Sequence, residues 1–198
     1  MSIETVLSFW FGPLGPEGIP AERYVRRWFV GGPPVDEECR ERFGVHVAAA
    51  LRGERDAWAG TPPGRLALVL LLDQLTRNIH RGTAGSFAGD EQALAQAVEA
   101  VRLGEDRSLR PIERYFLYMP FEHAEDAAIQ RRAVELFESL LEAAPTGALG
   151  IFEAGVEYAR RHEAVIARFG RFPSRNAALL RPSTAQEEAF LLEHPTGF

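Results

Sequence analysis

The sequence predicts an all-α fold of stacked antiparallel helical hairpins in a single domain. Between proline- and glycine-rich turns, nearly every segment has apolar residues at helical spacing, and none shows the alternating pattern rich in valine, isoleucine and threonine that is typical of a strand. The chain has 198 residues, of which 46% are hydrophobic, which suffices for one sizeable core rather than two. Predicted helices of about ten to twenty residues joined by short turns favour antiparallel neighbours. We therefore expect residues 1–198 to form one all-helical domain.

Charge and cysteine content narrow the class of protein. All 22 basic residues are arginine, and the formal net charge is −6, which opposes a general nucleic-acid or acidic-membrane surface. Cys39 is the only cysteine, so no internal disulfide and no cysteine zinc cluster can form. The amino-terminal stretch lacks the features of a signal peptide, and the longest apolar run, LALVLLL at 66–72, is too short to span a bilayer. We expect a soluble cytoplasmic protein with no nucleic-acid or membrane partner.

Three helices are predicted in the first quarter of the chain. The first runs over Ile3–Phe11 and ends at GPLGP, and the second follows Pro20 with Tyr24, Trp28 and Phe29 on its apolar side.

The third helix is predicted to begin at Asp36 as its N-cap. Its apolar stripe has a spacing of four residues and consists of Cys39, Phe43, Val47 and Leu51.

The fourth helix, from Arg65, is apolar almost all round and should lie at the centre of the domain. Its end turns polar: Asp73 and Arg77 are four residues apart, and Gln74 and Asn78 form the neighbouring row. Burying such groups without partners would cost about 1–3 kcal/mol each, so they must meet other polar groups or a ligand. This is the first candidate site.

The second half of the chain predicts further helices. Asp90 is the expected N-cap of a helix that runs to about Arg102, and Pro111 is the expected first residue of the next one, which Pro120 ends or kinks. Residues 125–143 form the following helix. A helix over about 148–169 and a last one that begins at the STAQEE capping signature complete the chain.

The segment EHAED forms the second candidate site. We expect it near a helix start, where the N-terminal partial charge favours the acids Glu122, Glu125 and Asp126 and accounts for them without a function. Capping does not explain His123. If the helix has begun there, His123 and Asp126 share a face, and the carboxylate can orient one ring nitrogen while the other faces a ligand.

Five blocks of the sequence carry a family resemblance: VLSFWFG, LDQLTRNIHRG, FAGDEQAL, ERYFLYMPFEHAED and RFGRFPSRNAALLRPSTAQEEAFL. With these blocks in order along essentially the whole chain, the sequence resembles the bacterial domain of unknown function 924 family. That family is similar to tetratricopeptide-like helical folds, so the resemblance implies a right-handed array of helix pairs. It brings no accepted activity.

The chain departs from the family pattern at three places. Leu75 and Thr76 stand where the pattern usually has Phe-Pro, and Ala124 stands where it has serine. Ser174 stands at the second histidine of the motif Arg-Phe-Pro-His-Arg-Asn, while Arg175 and Asn176 match. A reaction that depends on that histidine is therefore not expected here.

Other site chemistries find little support. The histidines show neither HExxH nor paired ExxH spacing, so we predict no metal, and His162 lies on an apolar stripe as expected for a hydrogen-bonded core histidine. The motifs GxSxG, GxGxxG and GxxxxGK are absent, and Cys39 lies on an apolar stripe. No cofactor is predicted.

These segments together predict one polar cleft that binds a small anionic or zwitterionic ligand or a peptide. Three alternatives stay open: a buried polar network that fixes helix docking, a small-molecule hydrolase or transferase with His123 as general base oriented by Asp126, and a surface for homo-oligomerisation. The sequence leaves open whether the protein is an enzyme. The predicted lining is Asp73, Gln74, Arg77, Asn78, Arg81, His123, Glu125, Asp126, Arg175 and Asn176.

Overall fold

The computed structural model describes residues 1–15, 17–195 and 197, and within these ranges the chain forms helices and no strand. The all-α class is thus confirmed. Short 3-10 turns connect the helices at Asp56–Gly60, Ala84–Phe87, Glu105–Ser108, Thr146–Ala148 and Pro173–Arg175. The helices are α1 Ile3–Phe11, α2 Glu22–Phe29, α3 Pro33–Leu51, α4 over 62–79, α5 Asp90–Leu103, α6 Pro111–Glu122, α7 Ala127–Glu142, α8 Leu149–Phe169 and α9 Ala185–Glu193.

Helix α4 lies at the centre, as predicted. It begins at Pro62, three residues before the expected start, because the Thr61 hydroxyl accepts a hydrogen bond from Gly64 N and caps the helix. Residues 66–71 have no exposed side-chain surface on any face. Helices α1, α3, α5 and α6 pack around it and share one large apolar core with α7 and α8. A sequence that is apolar all round requires this position.

The middle of α4 widens into a π-helical turn at Leu70–Leu75, between the α-helical segments Pro62–Val69 and Thr76–Ile79. The Thr76 hydroxyl donates to the Leu71 carbonyl over 2.7 Å and thereby satisfies a backbone acceptor within the wide turn. A π turn inserts one residue into the helical register and so re-aims the side chains on it. Asp73 and Gln74 lie on this turn.

The predicted start of α3 is wrong by four residues, and that of α5 by one residue. Helix α3 begins at Pro33 after Gly32, so Asp36 lies inside the first turn, and α5 begins at Asp90 itself after Gly89. Both carboxylates are bound by arginine side chains rather than by backbone N–H groups. Proline fits the first position of a helix because that position needs no N–H donor.

Helices α6, α7 and α8 pack consecutively, and their short connections make them antiparallel neighbours. Gly155 on α8 permits this close approach, because a Cβ atom there would lie 2.6 Å from the Tyr115 ring. Helix α2 is tied to the core by Trp28, whose indole N–H donates to the Trp10 carbonyl over 2.9 Å and whose ring packs on Phe116. The right-handed tetratricopeptide-like array stays a prediction.

The EHAED segment is the turn between α6 and α7. Helix α6 continues past Pro120 and ends at Glu122, so Glu122 lies at a C-terminal end and the capping explanation for it is wrong. His123 is the C-cap of α6. The buried side chain of Gln130, on α7, donates to the carbonyls of Glu122 over 2.6 Å and Ala124 over 2.7 Å. This amide fixes the path of the turn.

In the part of the chain that is described, none of the helices combines the length and the apolar composition needed to cross a bilayer.

Replacing Gln130 by Leu should lower the free energy of unfolding by about 1–3 kcal/mol, because the buried carbonyls of the turn would lose their donor. Chemical denaturation measures this difference. The matched control is Arg131→Ala on the exposed face of the same helix, for which we expect a change within about 0.5 kcal/mol. Equal stabilities of the two variants would show that the amide does not hold the turn.

Candidate functional site

Asp73 is a fully buried carboxylate with three hydrogen-bond donors around it. Its oxygens accept from the Gln74 amide, from Arg77 Nε over 3.4 Å and from His123 Nδ1 over 2.6 Å. Burial opposes the charge, but His123 and Arg77 stabilise the anion more, and they hold the pKa of Asp73 well below its usual range. Because Asp73 is ionised, His123 carries its ring proton on Nδ1.

His123 is a neutral imidazole in this setting. Burial lowers the pKa of His123, and Arg77 lowers it further, against the opposing effect of Asp73. The ring therefore presents an unprotonated Nε2 on the side away from Asp73.

A second carboxylate, Asp90, joins two arginines from distant parts of the chain. It accepts from Arg77 Nη2 over 2.8 Å and from Arg175 Nη1 over 3.1 Å, and Arg175 Nη2 donates to the His123 carbonyl over 2.8 Å. Both guanidinium groups lie over the Phe87 ring. Burial and the nearby Arg77 lower the pKa of Arg175 to about 10, so Arg175 keeps its charge at neutral pH. The result is a charge-balanced network.

Asn78 and Arg81 do not reach this network. Asn78 donates to the Asp36 carboxylate over 2.7 Å, and Arg81 binds the same carboxylate through two nitrogens at 2.6 and 2.8 Å. The hydrogen bond from Arg81 lowers the pKa of Asp36. Five residues along a helix turn the side chain by more than a third of a circle, so Asn78 points away from Asp73 toward α3. The expectation that Asn78 and Arg81 line the same cleft is wrong.

The expected pair of His123 and Asp126 is not formed. Asp126 is the N-cap of α7, and its carboxylate accepts from Ala128 N over 2.8 Å and Ile129 N over 2.9 Å. The structure thus uses Asp126 as the helix cap that the sequence also suggested, and Asp73 takes the place beside the histidine.

The other predicted residues belong to a third cluster. Glu125 accepts from Phe172 N over 2.8 Å and from both terminal nitrogens of Arg181, at 2.6 and 2.9 Å. Buried Asn176 donates to the Ser183 hydroxyl and accepts from Arg181 Nε. These contacts attach the segment after α8 to the EHAED turn. These hydrogen bonds of Glu125 and Asn176 do not include a residue of the Asp73 network.

Of the ten residues predicted for the cleft, the structure brings five together: Asp73, Gln74, Arg77, His123 and Arg175. Their hydrogen bonds are made mainly to one another and to Asp90. This geometry favours the alternative of a buried polar network over that of an arginine cleft open to a ligand.

The sequence did not indicate the cavity that opens next to this network. The cavity lies between α2, α6 and α8. Its volume of about 530 Å³ is typical of small-molecule sites. Gly150 and Ala154, four residues apart on α8, leave the space open on that side. The wall consists of Trp28, Phe29, Tyr115, Met119, Glu122, Gly150, Ile151, Ala154, Tyr158 and His162.

Glu122 is the acid of this cavity. Its side chain is 2% exposed, and its Oε1 atom has no hydrogen-bond partner among the described residues. Burial raises the pKa of Glu122 well above its usual range, and the nearby anion of Asp73 raises it further. Burial and the Asp73 anion therefore both favour the protonated form of this carboxyl. A buried polar atom without a partner is uncommon and calls for a structural or functional explanation.

His162 lies between the cavity and the charge network. Its Nδ1 donates to the Tyr158 carbonyl over 2.8 Å, which agrees with the hydrogen-bonded histidine expected from the sequence, although the side chain also lines the cavity. The ring centroid is 6.2 Å from that of His123 and 5.4 Å from that of Phe172. Burial, together with His123, lowers the pKa of His162 to about 3, so the ring is neutral.

Within residues 1–15, 17–195 and 197, no group of three histidine, cysteine or acidic side chains is arranged so that it could hold a metal ion.

The fold and the site define an all-helical protein with a buried charge network beside an apolar, acid-containing cavity. Residues 6–195 match the family described as bacterial protein of unknown function (DUF924), so the chain belongs to this family, as its sequence motifs predict. The solved structure of ATU0120, a protein of unknown function from Agrobacterium tumefaciens, is similar: 37% identity, 96% of this chain and 97% of that chain covered, TM-score 0.80. No curated protein matches the chain.

Replacing Glu122 by Gln should change how stability depends on pH. The folded pKa of Glu122 lies above the unfolded value of 4.5, so its stabilising contribution is complete below pH 4.5 and is lost as the pH rises toward the folded pKa. The free energy of unfolding of the wild type should therefore fall relative to that of the variant as the pH increases, by at most about 1.4 kcal/mol per pH unit.

Denaturation curves at several pH values measure this effect, and Glu135→Gln on the exposed face of α7 is the control. A difference between wild type and Glu122→Gln that does not change with pH would contradict the assignment.

Proposed function

We propose that the protein binds a small organic molecule in the cavity between α2, α6 and α8, with Glu122 as the polar group that recognises it. The observation that carries the proposal is the unpaired, buried Oε1 of Glu122 at an otherwise largely apolar wall. A ligand group that hydrogen-bonds to this oxygen would satisfy it, and the aromatic walls would bury the apolar part of the ligand.

This site differs from the arginine cleft predicted from the sequence. Arg77 and Arg175 are bound to Asp90, and neither lines the cavity. An anionic ligand would have to displace the Asp90 carboxylate, whereas a ligand in the cavity leaves these ion pairs intact. The Asp73 network then has a supporting role, because it holds the turn on which Glu122 lies.

The cavity can be blocked without disturbing the fold. A Cβ atom added at Gly150 meets no atom within 4 Å, so Leu at this position should extend across the opening. Leucine is also a better helix former than glycine, so Gly150→Leu should keep or raise the stability, by up to about 1 kcal/mol. We expect it to weaken binding of the uncharged fluorescent probe N-phenyl-1-naphthylamine at least about tenfold, which corresponds to about 1.4 kcal/mol.

Gly44→Leu on α3 is the matched control, since a Cβ atom there also meets nothing within 4 Å and Gly44 does not line the cavity. It should leave probe fluorescence unchanged. Probe binding that is absent from the wild type, or is equal in both variants, would reject the cavity as the ligand site.

A second candidate, acid–base catalysis, is favoured by the 2.6 Å hydrogen bond between His123 Nδ1 and Asp73. A buried carboxylate that orients a neutral imidazole leaves Nε2 able to accept a proton. A hydrolase of this kind would show a pH–rate inflection that is lost in His123→Asn. The absence of turnover in a broad screen of ester, amide and phosphate substrates would count against it.

A further inference from the structure

We propose that the cavity selects organic cations, namely aromatic or aliphatic molecules that carry an ammonium group. This inference rests on the proposed function, because it names the ligand class of the same site. Three features of the described residues carry it: the sign of the charge that the wall can bear, the arrangement of its aromatic rings, and the absence of arginine over those rings.

Glu122 is the acidic residue of the wall, and its carboxylate is the charge that the wall can bear. His162 is neutral, and no arginine lines the cavity although the chain contains many. The anion of Asp73 acts on Glu122, and Arg77, which is bound by Asp73 and Asp90, does not line the cavity. An anion in the cavity would face these acids, whereas a cation would be attracted by the ionised form of Glu122.

The aromatic rings of the wall form corners rather than a stack. The planes of Trp28 and Phe29 meet at 87° with centroids 6.1 Å apart, and those of Phe29 and Tyr115 meet at 76° with centroids 6.2 Å apart. Rings at such angles can present several faces to one ligand, which is the arrangement that holds ammonium groups through cation–π attraction.

Elsewhere in this chain, arginines cover aromatic faces. Arg27 and Arg42 lie over Phe9, and Arg175 lies over Phe172. Within residues 1–15, 17–195 and 197, no arginine lies over Trp28, Phe29 or Tyr115. Phe29, which is 48% exposed, is the most accessible of these three rings for a cation from outside the chain.

Binding of a permanent cation should release a proton. In the free protein, burial favours the protonated form of the Glu122 carboxyl. The titratable groups that face it are Asp73 from α4, Tyr115 from α6, and Tyr158 and His162 from α8. When the cation enters, the carboxyl O–H bond breaks, the proton passes to solvent and the carboxylate pairs with the ligand. Affinity should then rise with pH until Glu122 is ionised in the free protein.

The test compares benzyltrimethylammonium with neopentylbenzene, its uncharged isostere, in which carbon replaces nitrogen. Displacement of N-phenyl-1-naphthylamine gives both affinities, and calorimetry in two buffers of different ionisation enthalpy counts the released protons. We expect at least about a tenfold preference for the cation and the release of up to one proton. In Glu122→Gln, the preference should fall to the part that the aromatic rings supply, and proton release should disappear.

Phe29→Leu is the second variant, because Phe29 is 48% exposed and its replacement does not threaten folding. It should reduce the preference for the cation, whereas Gly44→Leu should not. Equal affinity for both probes in the wild type, or a preference that is undiminished in Glu122→Gln, would overturn the cation assignment and leave the cavity as a binding site. Failure of both probes and of the naphthylamine to bind would overturn the proposed function itself.

Discussion

The hydrogen-bonded anion of Asp73 is the constraint on which the geometry of the site depends. A carboxylate with no exposed surface is stable only when donors surround it, and here the donors come from α4 and from the turn after α6. Arg77 extends the network to Asp90 on α5, and Asp90 extends it to Arg175. Four segments that are far apart in sequence are thereby fixed to one another.

This network determines where Glu122 lies. His123 is held through its ring by Asp73 and through its carbonyl by Arg175, while Gln130 holds the carbonyl of Glu122. These contacts fix the backbone at Glu122, and its side chain lines the cavity. Burial beside the Asp73 anion raises the pKa of Glu122 and favours its protonated form.

The sequence predicts the fold well because apolar periodicity and capping residues are local signals. The bounds of α1, the first residue of α6 and the capping box of Thr184 and Glu187 in α9 all follow from residues within a few positions. Asp36 and Asp90 were misplaced as caps for the opposite reason. Their partners are arginines that lie more than ten residues away, and a short acidic side chain near a helix start looks the same in either role.

The candidate site was only partly predictable. The change from apolar to polar residues at the end of α4 correctly indicated Asp73 and Arg77 as site residues. Which neighbouring side chains contact them depends on the π turn, and this turn has no clear sequence signature. The cavity was missed because its wall is mainly ordinary apolar residues from three helices. Glu122 could have been singled out only by knowing that α6 continues past Pro120.

The ionisation of Glu122 can be measured directly by carbon-13 NMR of protein labelled at the glutamate side-chain carboxyl, with the Glu122 signal assigned from its loss in Glu122→Gln. A titration midpoint well above 4.5 is the result expected of a buried acid beside the anion of Asp73. A midpoint at or below 4.5 would mean that the carboxyl is solvated or paired, and would contradict this account of the site.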